Sequence, residues 1–333
     1  MSEELSEPGR LGIGGAVRWL RQGPLIQLVV LVVCWVTAVS LISGLGELSS
    51  VYSILILASF LGIAAAGQTL VVLLGGIDLS VPSMIGAANI LTALLTGRGW
   101  PLWAALVLVL VFTGAVGVAN GYISHRFALP PLVVTLATGA VVIGLALVAT
   151  GATNVPGQIP DWLSHFSSPI GVVGPVNIPP VLVLWVVIAG ALGFVLRWST
   201  AGLRLYATGS SPRAAELGLV RVRRVWMVTY GASAISSAVL GVILLGFGGG
   251  GQPDVGDPYL FTSLAAVLVG GTSLLGGRGD YWRTILGALV IVLLSIILVG
   301  LGLGDSAQQI LTGVIIFAAV ALYGRERRIR DRV

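Results

Sequence analysis

Residues 197–224 read RWSTAGLRLYATGSSPRAAELGLVRVRR, a basic and polar stretch between two long apolar runs. The stretch carries six arginines and one glutamate, whereas the flanking runs 162–196 and 225–253 carry no charged residue. Arginines collect on the inner side of membrane proteins, so the pattern predicts a cytoplasmic loop between two membrane spans. Its centre, Gly209 to Gly218, reads as a short polar helix that a soluble partner could reach.

Composition places the whole chain in the membrane. Of its 333 residues, 56% are hydrophobic and 9% are charged, against about 25% charged in soluble domains. A membrane span needs about 20 mainly apolar residues. Windows without charge reach or approach that length throughout the chain: 25–46, 48–77, 79–97, 99–125, 127–160, 162–196, 225–253, 284–304 and 306–324. The sequence therefore predicts an all-α polytopic membrane protein.

Arginine placement gives the expected topology. We place ten spans near 25–45, 50–74, 80–97, 101–122, 130–151, 179–196, 225–247, 259–275, 284–301 and 306–323. Ten spans put both termini on one side, and Arg98 is then the one arginine of eighteen on the other side. Since positive residues favour the inside, both termini are predicted to be cytoplasmic.

The domain organisation follows from the same pattern. A cytoplasmic N-terminal segment, 1–24, precedes a single transmembrane domain, 25–323, that contains the cytoplasmic loop 197–224. A basic cytoplasmic tail, 324–333, ends the chain.

Missing residue types exclude several chemistries. The chain has no lysine, so neither a phosphate-binding loop ending in Gly-Lys-Ser/Thr nor a lysine Schiff base can exist in it. The single cysteine, Cys34, cannot form an intrachain disulfide. The two histidines are predicted to lie on opposite sides of the membrane, so no metal site is expected. We therefore predict that the chain is not an enzyme and holds no cofactor. We also predict no nucleic-acid partner, because the arginines lie beside the predicted spans.

An aspartate interrupts the second apolar run. Gly75-Gly76-Ile77-Asp78-Leu79-Ser80 breaks the run with two glycines and a charge, and an ionisable residue at membrane depth is a functional hypothesis. Asp78 is interpreted either as lining the translocation path or as bracing a broken helix. The alternative is that Asp78 or Ser80 caps the next span. The segment Gly270 to Asp280 has the same character, with Arg278 expected to neutralise Asp280 or Glu216.

Polar residues inside the spans extend the candidate path. An uncharged polar solute such as a sugar suits amides and hydroxyls, but the same groups also form interhelical hydrogen bonds worth about 0.6–2 kcal/mol. The path candidates are Gln68, Asp78, Asn89, Asn120 and Ser273. The spacing Gly117-x-x-x-Gly121 instead predicts close packing of two helices.

Three motifs in order resemble the ribose-type, or monosaccharide, ABC transporter inner-membrane permeases. They are Gly75 to Ser80, Tyr206 to Gly218, and Ala265 to Gly279, and the likeness covers about residues 50 to 323. The wider superfamily also holds branched-chain amino-acid permeases. One departure is Phe261-Thr262-Ser263, where many relatives have acidic residues, and this leaves the solute open.

The resemblance implies the partners and the site. It implies a second permease subunit, identical or different, a cytoplasmic ATPase that binds ATP and magnesium, and an extracytoplasmic solute-binding protein, all at a bacterial inner membrane. Pro212 to Gly218 would form the helix that docks on the ATPase. The residues implied in this coupling are Gly209, Pro212, Arg213, Ala214, Ala215, Glu216 and Gly218.

The expected function is that of a permease subunit importing a monosaccharide. A permease for another small polar solute, such as a branched-chain amino acid, is the first alternative. An ion-coupled secondary transporter is the second, and it would use Asp78, with Glu47 near the outer end of the first span.

Overall fold

A computed structural model describes residues 25–151, 154–156, 159–168 and 178–330. The N-terminal segment 1–24 and the end of the basic tail, 331–333, lie outside the described residues. The described part is built from thirteen helices. They are α1 (Leu25–Leu41), α2 (Leu48–Leu74), α3 (Val81–Gly97), α4 (Leu102–Arg126), α5 (Pro131–Thr150), α6 (Asp161–Ser167), α7 (Pro180–Trp198), α8 (Thr200–Ser210), α9 (Pro212–Leu217), α10 (Val222–Gly248), α11 (Tyr259–Val269), α12 (Tyr281–Gly300) and α13 (Asp305–Arg330).

Among the described residues, six helices are long and apolar enough to cross a membrane: α2, α4, α5, α7, α10 and α12. Four further apolar helices are shorter, namely α1, α3, α11 and residues 306–318 within α13. The prediction of an all-helical, multi-pass membrane protein is confirmed to this extent.

Two helices form the centre of the bundle. In the apolar windows of α2 and α10, 83% and 72% of the residues are buried, against 28–39% in the other four long helices. α10 packs along α2, α3 and α4, and α2 also contacts α11 and α12. The outer helices therefore turn most of their apolar surface away from the protein, as expected for helices that face lipid.

Small residues allow α4 and α10 to approach closely. A Cβ atom on Gly117 would overlap the carbonyl oxygen of Tyr230, and one on Gly121 would lie 2.5 Å from the carbonyl oxygen of Trp226. The spacing of these two glycines therefore serves helix packing, as the sequence predicted.

Helix ends meet at two opposite faces of the bundle. At one face the ends of α2 and α11 meet the end of α8; we call this the coupling face. At the other face, which we call the outer face, a short bridge joins Val155 to Gly251. The starts of α11 and α13 also lie together there. α11 and α12 run between the two faces.

Candidate functional site

The basic loop folds into two short helices, each begun by a serine. The Ser199 hydroxyl accepts a hydrogen bond from the Gly202 amide at 3.2 Å and begins α8. The Ser211 hydroxyl accepts from the Ala214 amide at 3.3 Å and begins α9, with Pro212 as the first helical residue. Serine caps satisfy amides that a helix start leaves unpaired, and proline suits the first position. The sequence therefore fixes α9 as a separate helix rather than an extension of α8.

The tip of the loop presents both charge and apolar surface. Arg213 and Glu216 are exposed, whereas Ala215 is buried against the rest of the chain. Leu217 and Leu219 are 82% and 91% exposed, although this loop lies between spans and not within one. Two exposed leucines that lie two positions apart in a polar segment are typical of a protein-binding surface with a polar rim.

A tight turn sets the position of the second leucine. Leu219 has a φ of +60°, in the left-handed region that only a minority of non-glycine residues adopt. Its amide donates to the Glu216 carbonyl at 2.9 Å, and the Val220 amide donates to the Ala215 carbonyl at 3.0 Å. The turn closes α9 and holds the Leu219 side chain outward.

The base of the loop is held by backbone contacts among three glycine-rich segments. The Gly277 amide donates to the Leu73 carbonyl, the last turn of α2, at 2.8 Å. A Cβ on Gly209, at the end of α8, would overlap that same carbonyl oxygen. A Cβ on Gly276 would lie 2.7 Å from the Gly209 carbonyl oxygen and 2.9 Å from the Gly75 amide. We call these five residues the glycine junction.

The junction brings together the three motifs that the sequence singled out. Gly75 follows α2, Gly209 precedes α9, and Gly276 and Gly277 lie in the loop between α11 and α12. Gly75, Gly276 and Gly277 have positive φ angles of 89°, 78° and 70°, which glycine adopts at low cost. Backbone atoms of the three segments lie in direct contact, so a shift of α8 would displace the ends of α2 and α11.

Two side-chain contacts brace the same base. The Tyr206 hydroxyl, on α8, donates to the Gly279 carbonyl at 2.8 Å. Burial and the nearby Asp280 carboxylate raise the pKa of Tyr206 to about 12, while Arg197 acts in the opposite direction. Asp280 pairs with Arg197, so the expectation that Arg278 neutralises Asp280 was wrong. Arg197 reaches Asp280 because the end of α7 packs beside the start of α12.

Asp78 lies in a buried polar cluster beside the junction. It is 3% exposed. One carboxylate oxygen accepts from the Ser80 amide at 2.9 Å and from the Ser80 hydroxyl at 2.5 Å. The other accepts from the Ser233 hydroxyl of α10 at 2.8 Å. In this conformation the side chain therefore braces the start of α3 against α10, as one interpretation of the sequence held, whereas Ser80, the residue at that start, makes no side-chain capping hydrogen bond.

Asn120 and Gln68 are also enclosed. The Asn120 amide nitrogen of α4 lies 3.5 Å from the Ser80 hydroxyl, so the structure brings this residue to the Asp78 cluster. Gln68 is 1% exposed on α2. Its side-chain oxygen has no hydrogen-bond partner within the described residues, and neither has that of Asn120.

Asn89 and Ser273 lie elsewhere. The Asn89 side chain donates to the Gly241 carbonyl at 3.0 Å and accepts from the Gln252 amide at 2.7 Å, which ties α3 and α10 to the outer-face loop. Ser273 lies in the turn before Gly276, where its hydroxyl accepts from the Leu275 amide at 3.3 Å. The five path candidates therefore do not line one channel in this conformation, and a role in the path stays a prediction.

Comparison with known proteins gives the family. A family model for the permease component of branched-chain amino acid transport systems matches residues 50–320. The chain belongs to this family. This confirms the resemblance drawn from the three motifs, and the family is one of transport subunits rather than enzymes.

The chain is similar along most of its length to permeases that have been named. It is 31% identical to the ribose import permease protein RbsC of Bacillus subtilis over 319 residues, 95% of this chain and 96% of the relative. It is 31% identical to the autoinducer 2 import system permease protein LsrD of Klebsiella pneumoniae over 267 residues, 78% and 79% of the two chains. It is 34% identical to the probable ABC transporter permease protein YphD of Escherichia coli, over 83% and 82%. No solved structure gives a significant match.

Sequence reasoning missed several contacts of the permease that the fold creates. Tyr230 and Ser233 lie three residues apart on α10, so a helical wheel places them on one face, but nothing in the sequence aims that face at Asp78. Leu217 and Leu219 could have been found, because two leucines beside a charged, capped helix interrupt an otherwise polar segment.

Proposed function

We propose that this permease is the membrane-spanning subunit of an ATP-driven bacterial importer that carries a small neutral sugar. The observation that carries the proposal is the α9 tip, with Leu217 and Leu219 exposed, mounted on the glycine junction. A cytoplasmic ATPase subunit, holding ATP and magnesium, binds α9. The relatives named for ribose and for autoinducer 2 import support the solute class.

The proposed topology has ten spans and both termini in the cytoplasm. The proposal counts as spans the six long apolar helices of the described residues together with the four shorter ones. Residues 1–24 and 324–333 are then cytoplasmic segments flanking one transmembrane domain, 25–323, in the bacterial inner membrane. The arginines of loop 197–224 support a coupling face on the inside. In the proposal, an extracytoplasmic binding protein delivers the solute to the outer face of a dimer of permease subunits.

The mechanism follows from the rigidity of the junction. A partner can shift a conformational equilibrium only if it binds the two states with different affinity. ATP-driven closure of the ATPase moves α9, and the contact of Gly209 with Leu73 and Gly276 passes that displacement to α2 and α11. We assign to the same docking surface the further exposed residues of α9 and its end, namely Pro212, Arg213, Ala214, Glu216 and Gly218, while Ala215 is buried.

The test is association with an ATP-hydrolysing partner. The tagged permease is purified in mild detergent from its host, and the ATPase activity of the preparation is measured. We expect the wild-type preparation to hydrolyse ATP and the Leu217→Asp preparation to lose both the partner and the activity. Leu203→Asp is the matched control, because Leu203 of α8 is 71% exposed but lies outside α9; it should keep both.

The opposite result is equally defined. A partner-free permease that takes up D-ribose in liposomes without ATP, and stops when the ion gradient collapses, would establish the secondary-transporter alternative. Uptake of L-leucine rather than D-ribose by the complete complex would retain the importer and replace its solute.

A further inference from the structure

A cleft lined by polar and apolar side chains opens at the outer face, between α11 and α13. Its volume is about 470 Å³, within the roughly 300–1,000 Å³ typical of small-molecule sites. Asp257, just before α11, and Thr262 in its first turns form one wall. Gln308, Gln309 and Thr312 of α13 form the other. We call this set the outer cleft.

A second cavity continues the cleft toward the bundle. It measures about 170 Å³ and shares Thr262 and Gln308 with the outer cleft. Ser295 of α12 and Tyr259 of α11 add two further hydroxyl-bearing residues to its lining. The two cavities therefore adjoin each other, and the second adds apolar surface from α2 and α12 to these polar groups.

The polar wall of α13 does not suit lipid. Ile310, Val314 and Phe317 of this helix are exposed apolar residues, as a lipid-facing surface requires. Gln308 and Gln309 interrupt that surface, and Thr312 follows about 6 Å deeper, at 1.5 Å per residue. Polar groups within a span turn toward a cavity or a protein partner, because burying them in hydrocarbon without hydrogen bonds is costly.

The chemistry of the lining selects among solutes. Two amides and a threonine hydroxyl donate and accept hydrogen bonds, and the Asp257 carboxylate accepts from hydroxyl groups. The cleft lining contains no basic residue, so a solute carboxylate or phosphate would meet Asp257 with no opposite charge. Phe261, 54% exposed, and Pro258 supply apolar surface beside these groups. The set fits a neutral polyhydroxylated molecule better than an amino acid.

We propose that the outer cleft is the solute-recognition site at the outer end of the translocation path, and that it takes a neutral monosaccharide. The inference rests on the proposed importer function and names where that function selects its solute. It also gives meaning to the Phe261-Thr262-Ser263 departure, because Phe261 and Thr262 belong to the α11 wall of the cleft.

Cysteine accessibility tests the proposal. The chain has one cysteine, buried Cys34, so Cys34→Ala gives a cysteine-free parent. Gln309→Cys is introduced into the parent, with Ile310→Cys, 68% exposed on the same helix, as the matched control. A charged, membrane-impermeant maleimide is added from outside to cells. Because the thiolate is the reacting form and needs water, we expect Gln309→Cys to react roughly tenfold or more faster than Ile310→Cys.

Protection by solute tests recognition itself. D-ribose, D-xylose and D-galactose are each added at millimolar concentration, and we expect at least one to slow the reaction of Gln309→Cys while L-leucine does not. Thr262→Cys repeats both measurements from the α11 wall, so a single misfolded variant does not decide the result.

Other outcomes overturn the proposal in separable ways. Equal, slow reaction at positions 309 and 310 would show that the α13 wall faces lipid. Fast reaction without sugar protection would show a wet surface that recognises nothing. ATP-dependent uptake by the cysteine-free parent, measured in the same cells, tells these failures apart from a failure of the importer function.

Discussion

The glycine junction and the outer cleft lie at opposite ends of α11, and they differ in what fills them. In the junction, backbone touches backbone, and a Cβ on Gly209 or Gly276 has no free space. In the outer cleft, side chains from two helices surround an open volume. α11 has 11 residues, about 16 Å of helix, so it joins the two directly.

The difference separates a region whose backbone geometry is fixed from a region whose side chains can vary. A contact made of backbone atoms has the same shape whatever the neighbouring side chains are, so it transmits position and tolerates little change. A wall made of side chains can change its hydrogen-bonding groups without moving a helix. Sensitivity to substitution should therefore show up as lost stability at one end of α11 and as altered selectivity at the other.

The largest effect is expected for Gly209→Ala. The added methyl overlaps the Leu73 carbonyl oxygen, and because both partners are backbone, the clash costs about 3 kcal/mol or more. A thermal-unfolding scan in detergent should show a large fall in Tm. Gly218→Ala is the control, since its nearest atom would be 3.4 Å from the new methyl, and an equal loss there would remove the special status of the junction.

Asp78→Asn should come next. The amide cannot accept from both serines as the carboxylate does, so we expect a loss of about 2–3 kcal/mol, the range for hydrogen bonds to a charged group. Glu47→Gln is the matched exchange at an exposed carboxylate and should leave Tm unchanged. ATP-dependent uptake per folded molecule should survive in both, whereas an ion-coupled transporter would lose coupling with Asp78→Asn.

A third variant, Gln309→Ala, removes a polar side chain from the wall of the outer cleft. Its side chain is exposed, so the free energy of unfolding should stay within about 0.5 kcal/mol of the parent. Relative uptake rates of D-ribose, D-xylose and D-galactose should nevertheless change. A variant that unfolds early, or one with an unaltered sugar profile, would erase the distinction between the two ends.

Within the junction region, the mildest loss of stability is expected for Tyr206→Phe at its edge. Loss of the hydrogen bond to Gly279 costs about 1 kcal/mol at neutral pH. The pKa of Tyr206 is raised to about 12 in the folded protein, so the unfolded chain loses the phenol proton first as pH rises. Wild-type stability should therefore fall between about pH 10 and 12 relative to the variant. A constant gap between the two proteins over that range would contradict this assignment.

Local sequence patterns were enough to predict individual helices and loops, but not the contacts between them. Charge-free runs marked the apolar helices, and Ser211-Pro212 begins the α9 helix that the polar segment indicated. The junction could not be read in this way, because Gly75 and Gly276 are distant in sequence and a glycine does not reveal which backbone it will meet. The same applies to Arg197 and Asp280, 83 residues apart, and to Asn89, whose two partners lie on other segments.

The contact of Gly209 with two other segments limits how chimeric permeases can be built. Exchanging residues 199–220 between two relatives would transplant a loop whose last turn of α8 is shaped to the backbone of two other segments. A functional chimera must therefore also take residues 73–76 and 270–280 from the same donor, so that all three segments are exchanged together. Under the proposal that the outer cleft selects the solute, solute preference would stay with the recipient.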